Sequence, residues 1–516
     1  MKKAIGIDLG TTYSAVAVLQ EDGKPVILPN SEGRNTTASV VLFPDSNGND
    51  EPLVGEMAKH SAATAPLDVV QFVKRQMGDP HWKFESTNGH SYTAEVVSAI
   101  ILKKLKMDAE MALGMPITDA VITVPAYFDD ARRMATKQAG KIAGLNVLRV
   151  LNEPTAAAMS FGLDSKNEGT VLVYDLGGGT FDVTIMKISN NNFDVLATDG
   201  NRNLGGFDFD NRIVEYIVAE VEKQLQTSGV TVNVEDIWAN DAFIAEVREK
   251  AELAKKSLST VAQANVILTV SGKQCRIRIE RSKFEELTFD LLKTTQELVE
   301  DTMEAANMNW ANIDHLLLVG GSTRMPMVKE MMARISGKSP ELNVNPDEAV
   351  ALGAAIQAYI ENSKSGDEAP IAALDIITVS DVTSQALGVI MLNDDERDEN
   401  FVVIPRNAKI PTKGEQHAFT VVDNQKNINV QVTQGEDSDV EYVTIIGSKQ
   451  IPIPTYPKGS PFTVYYAYDI DQTVYIELYD DTARKTVGSF EVDRLLNLSD
   501  SAVDQAMVKI DNMSIQ

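Results

Sequence analysis

The sequence predicts a multidomain protein in which a duplicated α/β unit is followed by an all-β sandwich and a short C-terminal helix. Three observations indicate this architecture. The chain has 516 residues, enough for about three structural units of roughly 150 residues each. Residues 4–19 and 171–188 repeat one strand–turn–strand design. From about residue 381 onward, short strand patterns separated by turns replace the alternation of helices and strands.

Composition and charge exclude several classes of function. The content of 43% hydrophobic and 23% charged residues is close to the average of soluble domains. Apolar runs such as residues 316–319 are far shorter than the roughly 20 residues of a membrane span, and Asp8 interrupts the N-terminal apolar stretch before a signal peptide could form. A formal charge of −27 would repel nucleic acid and anionic lipid. We therefore expect a cytoplasmic protein with no nucleic-acid and no membrane partner.

The cysteine and histidine content argues against disulfide and zinc chemistry. Cys275 is the only cysteine, so an internal disulfide is impossible, and we expect this thiol to pack in a strand. The five histidines are scattered and never take the i, i+4 spacing of a helical metal site.

The two repeated segments each predict a strand, an acidic glycine-rich turn and a second strand. Glycine lets the backbone approach a ligand closely, and the hydroxyls of Thr11, Thr12 and Thr180 can bind phosphate oxygens. Asp8 and Asp175 occupy the same place in the two turns and can face a hydrated Mg²⁺. One such turn would be interpreted as an ordinary hairpin, but two copies with matching aspartates favour a phosphate site.

A third turn and two unusual helices extend this pattern. Residues 315–328 predict an apolar strand that ends at Gly320 and Gly321 and leads into a helix, whose N-terminus can meet a nucleotide. No GxxxxGK[ST] string occurs, so P-loop chemistry is disfavoured. The helices predicted at 153–162 and 348–358 are rich in small residues, and they form either a hinge beneath a cleft or simply a tightly packed core.

Longer strings join these turns: IDLGTTYS at 7–14, VITVPAYFDDARR at 121–133, LNEPTAAA at 151–158, DLGGGTFDV at 175–183, LVGGSTRMP at 318–326 and NPDEAVALGAA at 345–355. Together they resemble the actin, hexokinase and heat-shock ATPase superfamily, and in detail the seventy-kilodalton, DnaK-type heat-shock chaperones. The resemblance covers nearly the whole chain. The short stretch between Lys74 and Val121 is more similar to specialised bacterial members of the HscC-like kind.

The resemblance implies an actin-like ATPase domain over residues 1–362 that binds ATP or ADP with Mg²⁺, and it is also compatible with K⁺. Asp8 and Asp175 would hold the metal through water. Lys74 would position the attacking water and offset developing charge at the γ-phosphate, with Glu153 and Asp182 completing the polar network. Without the resemblance, Lys74 would be interpreted as a solvated charge, Glu153 as a first-turn helix residue and Asp182 as a strand-edge residue. The implied catalytic residues are Lys74, Glu153, Asp175, Thr180 and Asp182.

The nucleotide site implied by the resemblance spans both repeats and one further helix. Arginine usually stands where this chain has Lys256, and a compact ammonium cannot stack on adenine as a planar guanidinium does. We therefore expect weakened nucleotide binding, unless Lys256 is a plain solvated charge. The implied contacts are Gly10, Thr11, Thr12, Tyr13, Gly177, Gly178, Gly179, Thr180, Gly205, Gly206, Glu252, Lys255, Lys256, Ser259, Gly320, Gly321, Ser322, Arg324 and Asp347.

Residues 363–380 are predicted to be an interdomain linker, because NSKSGDEAP at 362–370 ends the long helical pattern. The resemblance implies that the linker docks on the ATPase domain when ATP is bound. Thr378 and Ser380 replace residues that are usually apolar, so we expect docking to bury less hydrocarbon and to couple the domains weakly. Residues implied to couple the domains are Pro125, Arg133 and Asp381.

Residues 381–498 are predicted to form a β-sandwich, and the string at 410–436 resembles the family's peptide-binding domain. The bound peptide would be an extended apolar segment of an unfolded polypeptide, held by main-chain hydrogen bonds and one side-chain pocket. Residues 499–516 contain a short helix, Ser499 to Met513, and the family's long helical lid is expected to be absent. The residues implied to line the pocket, which the pattern alone assigns to the core, are Val389, Leu392, Phe419, Ile428 and Val430.

The sequence thus predicts an ATP-dependent molecular chaperone whose ATP hydrolysis to ADP and phosphate switches its affinity for peptide. A small-molecule kinase of the actin fold and a nucleotide-dependent filament protein are the alternatives. Implied partners are unfolded polypeptide, a J-domain cochaperone near Arg149 and the linker, and a nucleotide-exchange factor as a further candidate.

Restoring arginine at position 256 tests the expected weakness of nucleotide binding. Lys256→Arg should tighten ADP binding by about 1 kcal/mol, because the guanidinium stacks on a partly desolvated adenine face. Calorimetric titration of both proteins measures the difference. Equal or weaker affinity in the variant would mean that side chain 256 does not stack on adenine.

Overall fold

A computed structural model describes residues 3–44, 51–163, 167–230, 233–270, 272–366, 371, 374, 377–393, 395–470, 473–492 and 497–516. It contains an α/β unit of two similar lobes, a linker strand, a two-sheet sandwich and one terminal helix. Among the described residues, no helix combines the length and the apolar character needed to cross a bilayer.

The first lobe is built on a mixed sheet of five strands in the order β11-β10-β1-β2-β3, with β4 also paired to β2. The lobe as a whole, including two small sheets beside the main one, contains the strands β1 (Ala4–Asp8), β2 (Tyr13–Leu19), β3 (Pro25–Leu28), β4 (Thr37–Ala38), β5 (Val41–Leu42), β6 (Leu53–Val54), β7 (Val69–Val70), β8 (Phe84–Glu85), β9 (Ser91–Tyr92), β10 (Asp119–Val124) and β11 (Asn146–Asn152). Its helices are α1 (Glu56–His60), α2 (Ala94–Leu113), α3 (Asp130–Ile142) and α4 (Glu153–Gly162).

The second lobe repeats the core of this arrangement, with the strand order β17-β12-β13-β14-β18. Its strands are β12 (Gly169–Leu176), β13 (Phe181–Ser189), β14 (Asn192–Asn201), β15 (Gln263–Val270), β16 (Lys273–Glu280), β17 (His315–Val319) and β18 (Thr378–Ser380). Its helices are α5 (Gly206–Thr227), α6 (Val234–Trp238), α7 (Asp241–Leu258), α8 (Arg281–Leu287), α9 (Phe289–Ala305) and α10 (Pro326–Ser336), and α11 (Ala349–Lys364) follows.

Both predicted repeats are therefore present as antiparallel hairpins, β1–β2 and β12–β13, each flanked by a parallel neighbour. The central strands β10 and β12 are almost entirely buried, as expected for strands that helices cover on both faces. Cys275 is buried in β16, as predicted.

The small residues of α4 and α11 allow these two helices to cross in close contact between the lobes. A Cβ atom added to Gly353 would overlap the backbone carbonyl of Ala156, and one added to Gly6 of β1 would overlap the backbone of Ala355. The helices thus pack backbone to backbone, which larger side chains would prevent. Helix α11 continues to Lys364, two residues past the boundary predicted at 362.

The linker strand β18 extends the sheet of the second lobe. It pairs in parallel with β14, so that Thr378, Val379 and Ser380 lie beside Asn192, Phe193 and Asp194. Val379 and the following Val382 pack into the hydrophobic cluster shared by α4 and α11. The end of the predicted linker, Thr378–Ser380, is therefore docked through its backbone, while residues 367–370, 372–373 and 375–376 of the predicted linker lie outside the described residues.

The C-terminal part contains two four-stranded antiparallel sheets that enclose a common core. The sheet orders are β20-β19-β22-β23 and β21-β24-β25-β26. The strands are β19 (Leu387–Leu392), β20 (Asp398–Ile404), β21 (Thr412–Phe419), β22 (Asn427–Gln434), β23 (Thr444–Pro452), β24 (Pro461–Tyr468), β25 (Val474–Asp480) and β26 (Lys485–Glu491). The predicted sandwich is confirmed.

The predicted terminal helix is present as α12 (Asp500–Asp511), capped by Ser499. Its buried face, Val503 and Ile510, packs into the hydrophobic core of the first lobe. Lys103 Nζ donates a 2.6 Å hydrogen bond to the carbonyl of Ile510, and the terminal Gln516 exchanges backbone hydrogen bonds with residues 52 and 54. The sandwich is thus followed by a segment that returns to the α/β unit.

The close crossing of α4 and α11 predicts a strong effect of one added methyl group. Gly353→Ala should lower the free energy of unfolding by about 3 kcal/mol, because the new Cβ must displace the backbone of α4. Thermal or denaturant unfolding measures the change, with Lys364→Ala at the exposed end of the same helix as the control. Equal stability of the two variants would contradict the backbone-to-backbone packing.

Candidate active site

The turns of the two hairpins face each other across the gap between the lobes. A Cβ atom at Gly179 would lie 2.5 Å from Thr11 Cγ2, and one at Gly178 would overlap Thr12 Oγ1. The amides of Gly206 and Phe207 donate hydrogen bonds of 2.9 and 2.8 Å to the carbonyls of Gly177 and Gly178. Only glycine fits at positions 178 and 179, where the two turns touch. The repeated motifs thereby create one surface rich in amides and hydroxyls.

These turns border a cleft with a volume of about 1040 Å³. Three predicted residues, Gly179, Gly205 and Asp182, are not part of the cleft wall; Gly179 and Gly205 pack against one another behind it. The predicted residues that do line the cleft are Asp8, Gly10, Thr11, Thr12, Tyr13, Lys74, Glu153, Asp175, Gly177, Gly178, Thr180, Gly206, Glu252, Lys255, Lys256, Ser259, Gly320, Gly321, Ser322, Arg324 and Asp347.

Buried carboxylates converge on Lys74 at the base of the cleft. Lys74 is only 4% exposed, and its ammonium forms a short ion pair with Glu153. Burial, with a further contribution from Glu153, raises the pKa of Asp8 to about 7 and that of Asp182 to about 7. Burial and the charges of Glu153 and Asp182 raise the pKa of Asp175 well above its ordinary value. One ammonium does not neutralise this cluster, so the site favours an additional cation.

The donor set fits a magnesium ion that is held mainly through water and phosphate. Among the described residues, no group of three or more His, Cys, Asp or Glu side chains has the arrangement of a metal site. Asp8 and Asp175 nevertheless lie on opposite lobes at the cleft wall, and their hard carboxylate oxygens are ligands that suit Mg²⁺.

The predicted adenosine side of the cleft contains a group of charges that bridges the lobes. Lys59 of α1 pairs with Glu252 of α7 at 2.7 Å and donates a 3.0 Å hydrogen bond to the Tyr13 hydroxyl. Lys256 pairs with the same glutamate at 2.7 Å, and its ammonium lies 5.2 Å from the centre of the Tyr13 ring. Burial opposes the charge on Glu252, yet Lys59 and Lys256 lower its pKa to about 2.

Other polar contacts fix the second-lobe wall. Lys255 Nζ donates 2.8 Å hydrogen bonds to the carbonyl of Gly206 and to Asp210. Ser322 Oγ donates to the carbonyl of Gly177 at 2.9 Å. Arg324 pairs with Asp347 at 2.5 Å, which closes the opposite side of the cleft mouth. Lys255 thus supports the turn at Gly206 in addition to lining the cleft.

The residues predicted to couple the domains form a buried chain of hydrogen bonds. Asp381 accepts a 2.6 Å bond from Asn152, whose side-chain oxygen accepts another of 2.6 Å from Arg133. Arg133 also donates to the carbonyls of Ala126 and Phe128, and the amide of Phe128 bonds to the carbonyl of Pro125. Burial raises the pKa of Asp381. Arg149, predicted to be near a cochaperone site, lies 3.6 Å from Glu361.

The predicted peptide residues do not all share one exposed surface. Val389 and Val430 are buried in the sandwich core, and Ile428 is partly buried against it, which is the alternative that the sequence pattern left open. Leu392 and Phe419 are exposed, at 43% and 60%. These five side chains therefore do not line one pocket in this structure, because Val389 and Val430 fill the space between the two sheets.

Several cleft residues were not predicted from the sequence. Asp210 and Phe207 follow the Gly205–Gly206 turn directly, so their proximity to a predicted motif was the available signal. Lys59, Phe72 and Arg248 lie in no recognised motif, and only the folded chain places them at the cleft.

Two lobes with duplicated hairpins around a cleft define an actin-fold nucleotide-binding protein, here joined to a β-sandwich. Comparison with known protein families matches residues 4–515 to the family described as Hsp70 protein. The chain therefore belongs to the Hsp70 family and functions as an ATP-dependent chaperone. Members of this family are ATPases that bind ATP or ADP with Mg²⁺, unfolded polypeptides and J-domain cochaperones.

The ion pair across the cleft predicts faster release of bound nucleotide when it is removed. Lys59→Gln should increase the dissociation rate of a fluorescent ADP analogue by about fivefold, the equivalent of roughly 1 kcal/mol for a partly buried pair. Stopped-flow chase measures the rate. His60→Gln is the matched control, because the neighbouring His60–Glu249 contact is largely exposed. A Lys59→Gln rate equal to that of the unmodified protein would exclude a role of Lys59 in closing the cleft.

Proposed function

We propose that this chain hydrolyses ATP to ADP and phosphate by in-line attack of water in the interlobe cleft and uses this reaction to switch its affinity for extended apolar peptide. The observation that supports the proposal best is the buried Lys74–Glu153 ion pair beneath two facing glycine turns. Phosphoryl transfer needs mainly positioning and charge stabilisation, and this arrangement offers both.

The residues at the base of the cleft are proposed to bind phosphate and metal and to position water. The turn amides and the hydroxyls of Thr11, Thr12 and Thr180 bind phosphate oxygens. Mg²⁺, when bound near Asp8 and Asp175, supplies Lewis-acid stabilisation of the phosphate charge, and a K⁺ ion is also compatible with so acidic a site. Lys74 orients the attacking water and offsets the charge that develops at the γ-phosphate.

The neighbouring carboxylates complete this proposal. Glu153 holds the Lys74 ammonium in place, and Asp182 is fixed by a 2.9 Å hydrogen bond from the amide of Tyr127.

Contacts between the domains support a coupling of hydrolysis to peptide binding. Arg406 of the sandwich pairs with Asp199 at 2.5 Å and lies 5.9 Å from the centre of the Tyr127 ring. The amide of Tyr127 donates a hydrogen bond to Asp182. Tyr127 therefore connects Arg406 of the sandwich to a proposed catalytic carboxylate. Undocking of the linker would remove Arg406 and Asp381 together from the α/β unit.

We further propose that the peptide binds beside Leu392 and Phe419, the two exposed members of this set. A J-domain cochaperone would act near Arg149 and β18, where it could release the Arg149–Glu361 contact. A nucleotide-exchange factor, an HscC-like subtype and a cytoplasmic location stay predictions.

The kinase and filament alternatives have direct tests. A kinase would form a phosphorylated metabolite in an acceptor-dependent reaction, and a filament protein would sediment as a polymer with nucleotide. No contact described here favours either one over hydrolysis by water.

Replacement of Lys74 tests the proposed chemistry. Lys74→Ala should reduce single-turnover ATP hydrolysis by about 100-fold or more while Mg·ATP binding persists, because the ammonium acts mainly on the transition state. Quenched-flow hydrolysis and calorimetric binding measure the two quantities. Lys223→Ala, at an exposed position on α5, is the control. Wild-type hydrolysis in Lys74→Ala would refute the proposed role.

A further inference from the structure

We infer that Phe72 and Phe207 form an aromatic clasp between the lobes that positions Lys74 for hydrolysis and retains the nucleotide. This inference rests on the proposed function. Phe72 precedes the 3-10 turn Val73–Gln76, which contains Lys74, and Phe207 lies at the start of α5 in the other lobe. Both rings line the cleft.

The two rings make a direct contact across the cleft. Their centroids are 4.4 Å apart and their planes are tilted by 51°, a geometry in the favourable range for aromatic pairs. Phe72 has a φ of 58°, in the left-handed region that a bulky side chain seldom adopts. Such a conformation persists only where surrounding contacts hold it, and the contact with Phe207 reaches the opposite lobe.

A second set of contacts holds the other end of the Lys74 turn. Arg75 Nε and one terminal nitrogen donate hydrogen bonds of 3.0 and 2.7 Å to the carbonyl of Gly179 in the phosphate turn. Arg75 also forms a short ion pair with Asp208, next to Phe207. Phe72 and Arg75, which lie on either side of Lys74 in the sequence, therefore both contact the second lobe.

The Phe207 ring is additionally approached by cations from both lobes. The guanidinium carbon of Arg75 lies 4.9 Å from the ring centre, and that of Arg248 on α7 lies 6.0 Å away. Guanidinium groups at these distances are attracted to the ring face. Phe207 thus joins Phe72 and Arg75 of the first lobe to Arg248 of the second.

Opening of the cleft would have to separate this clasp and move Lys74 away from the phosphate turns. Closing it would return Lys74 to Glu153 and to the position proposed for the γ-phosphate. Phe72 and Phe207 are accordingly positioning residues, because they act through the Lys74 turn and touch neither phosphate nor water in this proposal.

The test removes each ring without imposing a conformational problem. Phe72→Gly is suited to the observed positive φ, so the variant should fold and lose only the contacts of the ring. Phe207→Ala removes the other ring, and Phe207→Tyr retains an aromatic face as the conservative variant. Phe289→Ala, at an exposed position on α9, is the control for loss of a phenyl ring.

Single-turnover ATP hydrolysis and release of fluorescent ADP are measured for all variants, together with Phe72→Gly/Phe207→Ala. Each single variant should hydrolyse ATP about threefold to tenfold more slowly and release ADP faster, as expected for loss of one aromatic contact. The double variant should be no slower than either single one, and Phe207→Tyr should resemble the unmodified protein.

Unchanged hydrolysis in both single variants, or losses that multiply in the double variant, would overturn the clasp. The proposed function has a separate outcome. If Lys74→Ala abolishes hydrolysis while the phenylalanine variants retain it, only the clasp fails. If Lys74→Ala itself hydrolyses ATP normally, the role that the clasp serves is excluded as well.

Discussion

The burial of several carboxylates beside a single ammonium is the constraint on which this cleft depends. Asp8 comes from one hairpin and Asp175 from the other, and both are raised in pKa because water is excluded and like charges are close. Lys74 and Glu153 neutralise only each other. The cluster therefore favours a cationic ligand between the lobes, and we propose that closure of the cleft depends on what is bound there.

Glycine makes this convergence geometrically possible. Backbone at Gly178 and Gly179 lies against Thr12 and Thr11, and backbone at Gly353 lies against α4. Close approach at the turns and at the helix crossing brings the lobes together at both the top and the bottom of the cleft. Small residues at the crossing provide contact without interlocking side chains, so the same surface can support closure and allow hinge motion.

The docked linker brings the sandwich into contact with residues that lie next to the cleft. Strand β18 continues the sheet that contains Asp175, and Asp381 and Arg406 extend buried polar contacts toward Arg133 and Tyr127. The polar linker side chains suggested weak docking, but parallel backbone pairing needs no apolar side chain. The docked linker therefore combines backbone pairing and buried polar contacts with the packing of apolar side chains such as Leu374, Val379 and Val382 against the α4–α11 cluster.

The sequence by itself determined the elements whose signals are local. The repeated Asp-Leu-Gly turns, the small-residue helices and the short strands of the sandwich follow from backbone conformation and periodicity. Cleft residues outside these turns, such as Lys74 and Glu252, were implied only by the family resemblance, because their local patterns are those of ordinary charged helix residues. Contacts between distant positions were decided only by the tertiary structure. Lys59 meets Glu252 and Phe72 meets Phe207 because two lobes close on each other, and no local preference records which side chains will then be neighbours. The burial of Val389 was likewise decided by the packing of two sheets, since an apolar strand residue has the same local pattern whether it lines a pocket or fills a core.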